Sequence, residues 1–405
     1  MADSNGEEHP RLVLKNFLSI EECKELEFIH KSCSTVGYRP NVFSTTLSHL
    51  VATNSSHFII PFVPIRERLK EKVEEFFGCE YELVVEFTGL ISWTKGASIG
   101  WHSDDNRHYL KQRDFTAVCY LNNYGEDFEG GLFNFQHGEP KTIAPVSGDV
   151  VIYTADNRNI HSVDEVTLGE RLTLTLWFSR DSSHDEDAKL ISLLSQNLLH
   201  GSDNASKLCL PLPASSNMYW FAPNQASHDE LGFNICCARL NVLGYDIYFS
   251  DKISSFSDSS ELLMEPLQLA RADDLFYKEF ANILQALQVV QFFHWKASEL
   301  PSFTVEIAGK VLHLSQSQQK KISCLKSVFV KDHQLVETVF HPVTINEKEQ
   351  RSFSWADFSA AVKVWEDYIH KLHKDIVSSL PYWRTHQSLF SIQFDGSLEE
   401  TSVPG

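Results

Sequence analysis

The stretch GDVVIYTADNRNIHSVDEVTLGERLTLTLWFSR, residues 148–180, determines the fold expected for this chain. It contains three short runs of apolar, β-branched and aromatic residues, which are separated by Gly, Asn and Asp. Runs of this kind between turn-forming residues are typical of β-strands. Four further runs lie between Tyr81 and Val146, namely YELVVEFTGLISW, FTAVCYLN, GGLFNFQ and KTIAPV. Short strands at such close spacing predict an antiparallel sandwich or barrel.

Two helices are predicted upstream of these strands. Residues 12–33 have the pattern of a short strand followed by an amphipathic helix, with Ser19 and the glutamate three residues later forming a capping box. A second helix is expected from Ile65 to Phe77 and should end at Gly78. The segment Tyr38–Phe62 between the helices is polar, and we expect it to be irregular.

After Arg180 the pattern changes to that of a helix-rich α+β half in which we recognise no motif. The sequence predicts helices near Leu190–Leu199, Glu261–Ala297 and Trp355–Ser379, a strand within Leu240–Phe249, and a hairpin over 302–314. We therefore divide the chain into a flexible N-terminal segment (1–11), a first domain (12–184) and a C-terminal domain of unassigned role (185–405).

Composition limits the class of protein. The chain has 405 residues, a net charge of −19 and 42% hydrophobic residues, which is ordinary for a globular protein and unlike a fibrous or disordered one. The negative charge disfavours a nucleic acid partner, because such binding relies on clustered Lys and Arg.

The first residues, MADSNGEEHP, lack the features of a secretory signal, and no apolar stretch approaches the length of a membrane span. Eight cysteines without a CxxC pair are expected to be reduced thiols in a cytoplasmic or nuclear protein without a membrane partner.

His102 and Asp104 form the first pattern that indicates chemistry. Residues two apart on a strand point to the same face, so the imidazole and the carboxylate can converge, and His161 follows in another predicted strand. Two histidines and one carboxylate on one face of a metal form the facial triad of non-haem Fe(II) oxygenases, which leaves positions open for a bidentate co-substrate and O₂. Asp105 is an alternative ligand, but strand alternation favours Asp104. The neighbouring Trp101 is expected to pack rather than to act chemically.

Arg171 follows His161 by ten residues, at the start of a predicted strand. In a jelly roll, the next strand of the same sheet would bring it over the metal. A guanidinium there can bind the distal carboxylate of a 2-oxo acid through two hydrogen bonds. Thr173 lies on the same face and can add a hydroxyl to that carboxylate. The alternatives are a surface cation at a strand end and an ordinary half-buried β-branched residue.

These residues resemble a known family, the 2-oxoglutarate- and Fe(II)-dependent dioxygenases, and within it the prolyl 4-hydroxylase alpha-subunit-like group. Three further segments are similar to that group, over about residues 12–180: Asn16–Leu26, Gly130–Phe133 and Pro145–Asp149. The resemblance implies a mostly β first half folded as a double-stranded β-helix (jelly roll) with flanking helices. It also implies Fe(II) on His102, Asp104 and His161, 2-oxoglutarate on Arg171, O₂ as co-substrate, and ascorbate to keep the iron ferrous.

Two positions depart from the pattern of the group. Trp93 stands where the group often has a tyrosine whose hydroxyl binds 2-oxoglutarate, and an indole offers only its N–H, in a different place. Trp93 therefore remains a candidate contact to the co-substrate. Arg171 stands where the group often has lysine, but arginine is common at this place in the wider superfamily, so use of 2-oxoglutarate is still expected.

The function implied is hydroxylation of a protein side chain, prolyl above all, with decarboxylation of 2-oxoglutarate to succinate and CO₂. The resemblance also places Tyr38–Phe62 where family members carry a substrate-covering segment. Candidate substrate contacts follow the HxD motif or precede its distal histidine, and solvated loops are the alternative for each: Asn106, Arg107, Tyr109 and Arg158. Two other functions stay open, namely an oxygenase for a small metabolite or a nucleic acid base, and a non-catalytic partner-binding protein on an oxygenase scaffold.

Overall fold

The structure is a computed structural model that describes residues 8–33, 35–39, 41–200, 210–211, 220–221, 238–242, 245–250, 266–267, 270, 288–296 and 355–393. The hairpin expected over 302–314 and most of the helix expected over Glu261–Ala297 lie outside these residues.

The first half of the chain is rich in strands, as predicted. The strands are β1 (Arg11–Leu14), β2 (Thr35–Arg39), β3 (Val42–Thr46), β4 (Val84–Thr94), β5 (Ile99–His102), β6 (Phe115–Tyr120), β7 (Phe128–Gly130), β8 (Phe133–Phe135), β9 (Thr142–Ile143), β10 (Val150–Thr154), β11 (His161–Val163) and β12 (Val166–Ser179). The later strands are β13 (Leu210–Pro211), β14 (Trp220–Phe221), β15 (Ala238–Val242) and β16 (Tyr245–Ser250). The helices are α1 (Ile20–Ser32), α2 (Leu47–Ala52), α3 (Phe62–Phe77), α4 (Glu186–His200) and α5 (Trp355–His386).

Most strands form two antiparallel sheets. The major sheet has the order β1-β10-β6-β12-β4-β3-β2-β15-β16, with β7 paired to the far end of β12. The minor sheet has the order β5-β11-β8-β9. Side chains from both sheets meet in one cluster, which includes Tyr153 and Trp177 of the major sheet and Phe133 and Val163 of the minor sheet. Two sheets around a shared interior are what a double-stranded β-helix requires.

The alternation within RLTLTLWF decides which side of the major sheet becomes the site. On β12, four apolar side chains point to a core shared with the helices: Leu172, Leu174, Leu176 and Phe178. The intervening residues point into the space between the sheets, and these are Arg171, Thr173, Thr175 and Trp177. A period of two separates an apolar face from a face with polar groups. The alternation in the sequence therefore separates the same two faces that the structure shows.

The predicted helices in the first half are confirmed. Ser19 accepts a hydrogen bond from the Glu22 amide while the Glu22 carboxylate accepts from the Ser19 amide, so the capping box of α1 is complete. Helix α3 starts three residues before its predicted position and ends at Gly78, whose φ of 59° is left-handed. Glycine adopts this conformation without the steric cost that a Cβ would bring.

The prediction that Tyr38–Phe62 is irregular was wrong. The segment contains the end of β2, all of β3 and the helix α2, and β3 is buried along its whole length against β4. Small polar residues such as Ser44 and Thr45 do not mark a solvated loop here, because their side chains are packed inside the sheet. Strand β3 extends the major sheet, and the described part of the segment is largely framework.

Residues from the C-terminal half pack against the first half. Strand β15 pairs with β2 and so extends the major sheet. Helix α5 and residues 288–296 share the helical core, where the Phe28 ring lies 5.7 Å from Phe292 and 5.2 Å from Trp295. The predicted helices near 190–199 and 355–379 are confirmed, and the predicted strand within 240–249 is a hairpin of β15 and β16. The proposed boundary at residue 184 stays a prediction, and so does the flexible segment 1–11, in which His9 and Arg11 are hydrogen-bonded to later loops.

No helix in the described part of the chain is both long and apolar enough to cross a bilayer.

Candidate metal centre

The three predicted ligands converge between the sheets. The nearest ligand atoms of His102, Asp104 and His161 all lie within 4.8 Å of one another. Asp104 Oδ1 is 3.8 Å from Nε2 of His102 and 3.7 Å from Nε2 of His161. Among the described residues this is the only group of three or more such side chains that could hold a metal ion. Two imidazoles and one carboxylate on one side of a cavity are a donor set suited to Fe(II).

Strand pairing explains why residues far apart in sequence meet. His161 on β11 lies opposite His102 on β5 in the register of the minor sheet. Asp104 reaches the same point in a different way from the one expected, since β5 ends at His102 and Asp104 lies in the turn that follows. The chain reversal, and not strand alternation, directs the carboxylate toward the imidazoles.

Backbone carbonyls orient both imidazoles. Nδ1 of His102 is 2.8 Å from the Gly100 carbonyl, and Nδ1 of His161 is 2.9 Å from the Asn159 carbonyl. A carbonyl can only accept, so each Nδ1 carries the proton and each Nε2 keeps its lone pair for a metal. The carboxylate of Asp164, three residues after His161, accepts from Asn134.

Electrostatics favour a cation at this point. Burial alone would raise the pKa of Asp104, but the two histidines and Thr116 outweigh it, so the pKa lies below its usual value and the carboxylate is charged. Burial lowers the pKa of His161 to about 4, so this imidazole is neutral near pH 7. No Lys or Arg side chain forms an ion pair with Asp104 within the described ranges. A buried carboxylate beside the neutral His161 imidazole is therefore short of positive charge, which a divalent metal supplies.

Asp105 is turned away from this point, as expected. Its carboxylate accepts hydrogen bonds from Ser103 and from Lys111, at 2.8 and 2.7 Å. Asp105 thus stabilises the turn that carries Asp104, and its oxygens point away from the predicted metal position.

Arg171 lies in the same interior, but on the other sheet. We expected it on a strand of the sheet that carries His161, and this was wrong, because β11 belongs to the minor sheet and β12 to the major sheet. The Arg171 side chain is 2% exposed, and its Nε has no hydrogen-bond partner among the described residues. The buried Tyr120 hydroxyl also lacks a partner in this part of the chain, and the guanidinium carbon lies 5.4 Å from the Tyr120 ring centroid. Unpaired buried donors around a cation fit the carboxylate of a 2-oxo acid.

Glycine at position 131 makes room for this arginine. A Cβ on Gly131 would lie 2.9 Å from Cδ of Arg171, and the φ of Gly131 is +63°. A larger residue would be strained in its backbone and would push the guanidinium stem. This is the physical reason for the second glycine of the Gly130–Phe133 segment.

The other predicted co-substrate contacts border Arg171. Trp93 is directly opposite Arg171 in the β4–β12 register and belongs to the interior cluster. Thr173 faces the same interior, and its hydroxyl donates weakly to the Ile91 carbonyl at 3.4 Å. Their contact with 2-oxoglutarate stays a prediction.

The predicted substrate-loop residues lie on two turns that flank the triad. Asn106 and Arg107 are exposed on the turn after Asp104. Arg158 is half-exposed before His161 and is paired with Asp156 at 2.8 Å. The Tyr109 side chain lies outside what the structure describes. Trp101 does not pack as expected, because 55% of it is exposed.

The sequence reasoning missed three residues beside the triad. The Tyr153 hydroxyl donates to Asp104 Oδ2 at 3.1 Å, and Arg113 donates to the Asp104 backbone carbonyl at 3.3 Å. Glu86 pairs with Arg113 while both are buried. Tyr153 could have been predicted, because a tyrosine within the predicted strand GDVVIYTA brings a hydroxyl to the buried interior. No sequence feature indicates the pairing of Glu86 with Arg113, because it joins a strand residue and a loop residue that lie far apart in sequence.

Comparison with known proteins agrees with this geometry. Residues 88–179 match the family model described as the 2OG-Fe(II) oxygenase superfamily. Prolyl 3-hydroxylase 1 of Gallus gallus is 27% identical over 220 residues, which cover 44% of this chain and 30% of that protein. The human 2-oxoglutarate and iron-dependent oxygenase domain-containing protein 3 is 38% identical over 85 residues, which cover 21% of this chain and 27% of that protein. The chain spans about a third of the length of these curated relatives.

A solved structure of a Pseudomonas putida prolyl-4-hydroxylase is 18% identical and aligns over 44% of this chain and 96% of that one, with a TM-score of 0.36. The family match and the curated relatives point the same way: residues 88–179 are similar to 2OG-Fe(II) oxygenases, and the curated relatives of the chain include prolyl 3-hydroxylases.

Proposed function

We propose that this chain is an Fe(II)- and 2-oxoglutarate-dependent dioxygenase that hydroxylates a protein side chain, with prolyl as the leading target. The observation that carries the proposal is one interior that combines a His–Asp–His triad with a buried arginine whose Nε has no hydrogen-bond partner among the described residues. The triad would hold Fe(II), and Arg171 would bind the far carboxylate of 2-oxoglutarate. The bound metal supplies the oxidative chemistry, in which one oxygen atom of O₂ enters succinate and the other enters the substrate.

The protein's own part is to position the reactants and to keep out water. Nδ1–H donation to backbone carbonyls fixes both imidazoles. Burial of Arg171 and Tyr120 strengthens their attraction for an anion, because no solvent competes for their donors. Such preorganisation is how a protein directs a reaction that a cofactor carries out.

A protein substrate is supported by buried donors next to the triad. Nη2 of Arg113 and Nε1 of Trp177 have no hydrogen-bond partner, and the guanidinium carbon lies 3.6 Å from the Trp177 ring centroid. The same Arg113 binds the Asp104 carbonyl, so these donors lie close to the metal ligands. Peptide carbonyls are acceptors that could satisfy them. The prolyl 3-hydroxylase relatives support a prolyl target in particular.

The test uses the full chain with Fe(II), 2-oxoglutarate and ascorbate as the proposed reductant. Candidate substrates are captured from a lysate with the iron-free protein, and both succinate release and the gain of one oxygen atom by a captured protein are measured. We expect wild type to release succinate and to modify a prolyl side chain. His102→Ala should abolish metal binding and turnover, whereas Arg171→Ala should weaken 2-oxoglutarate binding and leave metal binding intact. Failure of the wild type to bind 2-oxoglutarate or to turn it over would refute the proposal, as would equal activity in His102→Ala.

A further inference from the structure

We propose that Tyr153 is a positioning residue that holds Asp104 as a one-oxygen metal ligand and thereby sets the metal affinity of the site; this rests on the function proposed above. The two carboxylate oxygens of Asp104 have different surroundings. Oδ1 faces Nε2 of both histidines, at 3.7 and 3.8 Å. Oδ2 accepts from the Tyr153 hydroxyl at 3.1 Å and from the Thr116 hydroxyl at 2.6 Å.

Once a metal is present, Asp104 Oδ2 is the acceptor that remains for the Tyr153 hydroxyl. Its hydroxyl oxygen also lies 3.4 Å from Nε2 of His161. Nδ1 of that imidazole donates to the Asn159 carbonyl, so the Nε2 lone pair is the one that a metal takes. The Tyr153 hydroxyl then donates to Asp104 Oδ2, which is already the nearer acceptor.

The tyrosine ring is fixed before any metal binds. Tyr153 on β10 lies opposite Thr116 on β6, so the two donors to Oδ2 come from paired positions of the major sheet. The ring is 1% exposed, with ring centroids at 5.0 Å from His161 and 5.5 Å from Phe135. Because aromatic and imidazole rings hold it, its hydroxyl reaches Asp104 without a loss of side-chain freedom on binding.

Removal of the hydroxyl has a chemical consequence. With one of its two side-chain donors lost, Oδ2 is freer to rotate toward the metal, and the carboxylate can bind through both oxygens. That second contact would occupy a position that a bidentate co-substrate needs. Loss of an outer hydrogen bond to a metal ligand commonly weakens metal binding by about 10–100-fold.

The experiment titrates Co(II) into full-length metal-free protein without 2-oxoglutarate, following calorimetry and the visible absorption of the bound Co(II). Tyr153→Phe keeps the ring and removes only the oxygen. We expect its Co(II) affinity to fall about tenfold or more and its Co(II) spectrum to change. Tyr368→Phe is the matched control, because its hydroxyl donates to the Glu25 carboxylate at 2.7 Å in the helical core, away from the triad, and its Co(II) affinity and spectrum should equal those of wild type.

Thr116→Val provides a second measurement on the same oxygen and should shift affinity in the same direction. A Tyr153→Phe variant with wild-type affinity and spectrum overturns the inference and leaves the proposed function standing. Wild type that binds no Co(II) contradicts the proposed function itself. A spectral change in Tyr153→Phe that a lower melting temperature accompanies still supports the inference, because general destabilisation does not alter the coordination of bound Co(II).

Discussion

His161 on β11 lies directly opposite His102 on β5, and the two ring centroids are 4.3 Å apart. Both Nε2 atoms lie within 4 Å of Asp104 Oδ1, so the pairing of two short strands creates the donor set.

Loss of either histidine should therefore abolish tight metal binding. In His102→Ala the site keeps one imidazole and one carboxylate, and we expect no saturable Co(II) binding at micromolar concentration, as measured by calorimetry. His184→Ala removes a histidine outside the cluster and should bind like wild type. Undiminished Co(II) binding in His102→Ala would contradict the assignment of this ligand.

Gly131→Ala should weaken 2-oxoglutarate binding through Arg171. The added Cβ would meet Cδ of Arg171 at 2.9 Å, and displacement of the guanidinium should lower 2-oxoglutarate affinity by about tenfold or more. Gly78→Ala is a matched control, because its φ of +59° gives the same backbone strain of about 1 kcal/mol while nothing lies within 4 Å of the added atom. Equal 2-oxoglutarate affinity in the two variants would show that the Arg171 contact has no role.

Arg66→Leu should destabilise the whole structure. Arg66 is buried between α3 and α4, where it contacts Asp187 at 2.5 Å and Glu186 at 3.5 Å. Burial raises the pKa of Glu186 to about 8 although Arg66 opposes it. Removing the cation leaves the buried Asp187 without its ion-pair partner, and we expect a loss of about 3–5 kcal/mol in urea unfolding.

The control for this prediction is Arg68→Leu. Arg68 pairs with Glu22 at the surface, so its loss should change the free energy of unfolding by less than about 1 kcal/mol. The prediction fails if the two variants have the same stability.

The stability of the packing between α5 and the segment Ser56–Ile59 should decrease in acid. The His57 ring is buried, 4.1 Å from the His373 ring, and neither of its nitrogens has a hydrogen-bond partner in the part of the chain that the structure describes. Burial, with a smaller effect of His373, lowers the pKa of His57 from 6.5 to about 3. The unfolded chain thus binds a proton that the folded chain does not, so this stability is complete above pH 6.5 and is lost progressively as the pH falls toward 3.

The measurement is the free energy of unfolding in a series of buffers from about pH 7 to about pH 4. One differential proton corresponds to a slope of about 1.4 kcal/mol per pH unit. His57→Phe should lower this slope by about 1.4 kcal/mol per pH unit, which corresponds to one proton. His184→Gln changes a histidine outside the helical core and should leave the slope unchanged. An unchanged slope in His57→Phe would rule out His57 as the titrating group.

The sequence by itself determined the strand-rich first half, the capped helix α1, the end of α3 and the identity of the triad. The strands and helices follow from local rules, since alternation and capping are complete within a few residues. The triad was inferred from the HxD spacing together with the resemblance to a family. The alternation along β12 even separated Arg171 and Thr173 from the leucines that face the helices.

Only the tertiary structure decided which sheet each functional residue belongs to and what surrounds it. Arg171 is on the sheet opposite His161, and Tyr153 meets Asp104 across a distance in sequence that no spacing rule covers. Strand β3 is framework because β4 buries it, although the segment Tyr38–Phe62 that contains it is rich in Ser, Thr and Asn. Local pattern specifies the face of a strand, whereas pairing partners and packing depend on contacts between distant segments, and these contacts turn a His–Asp–His motif into a site.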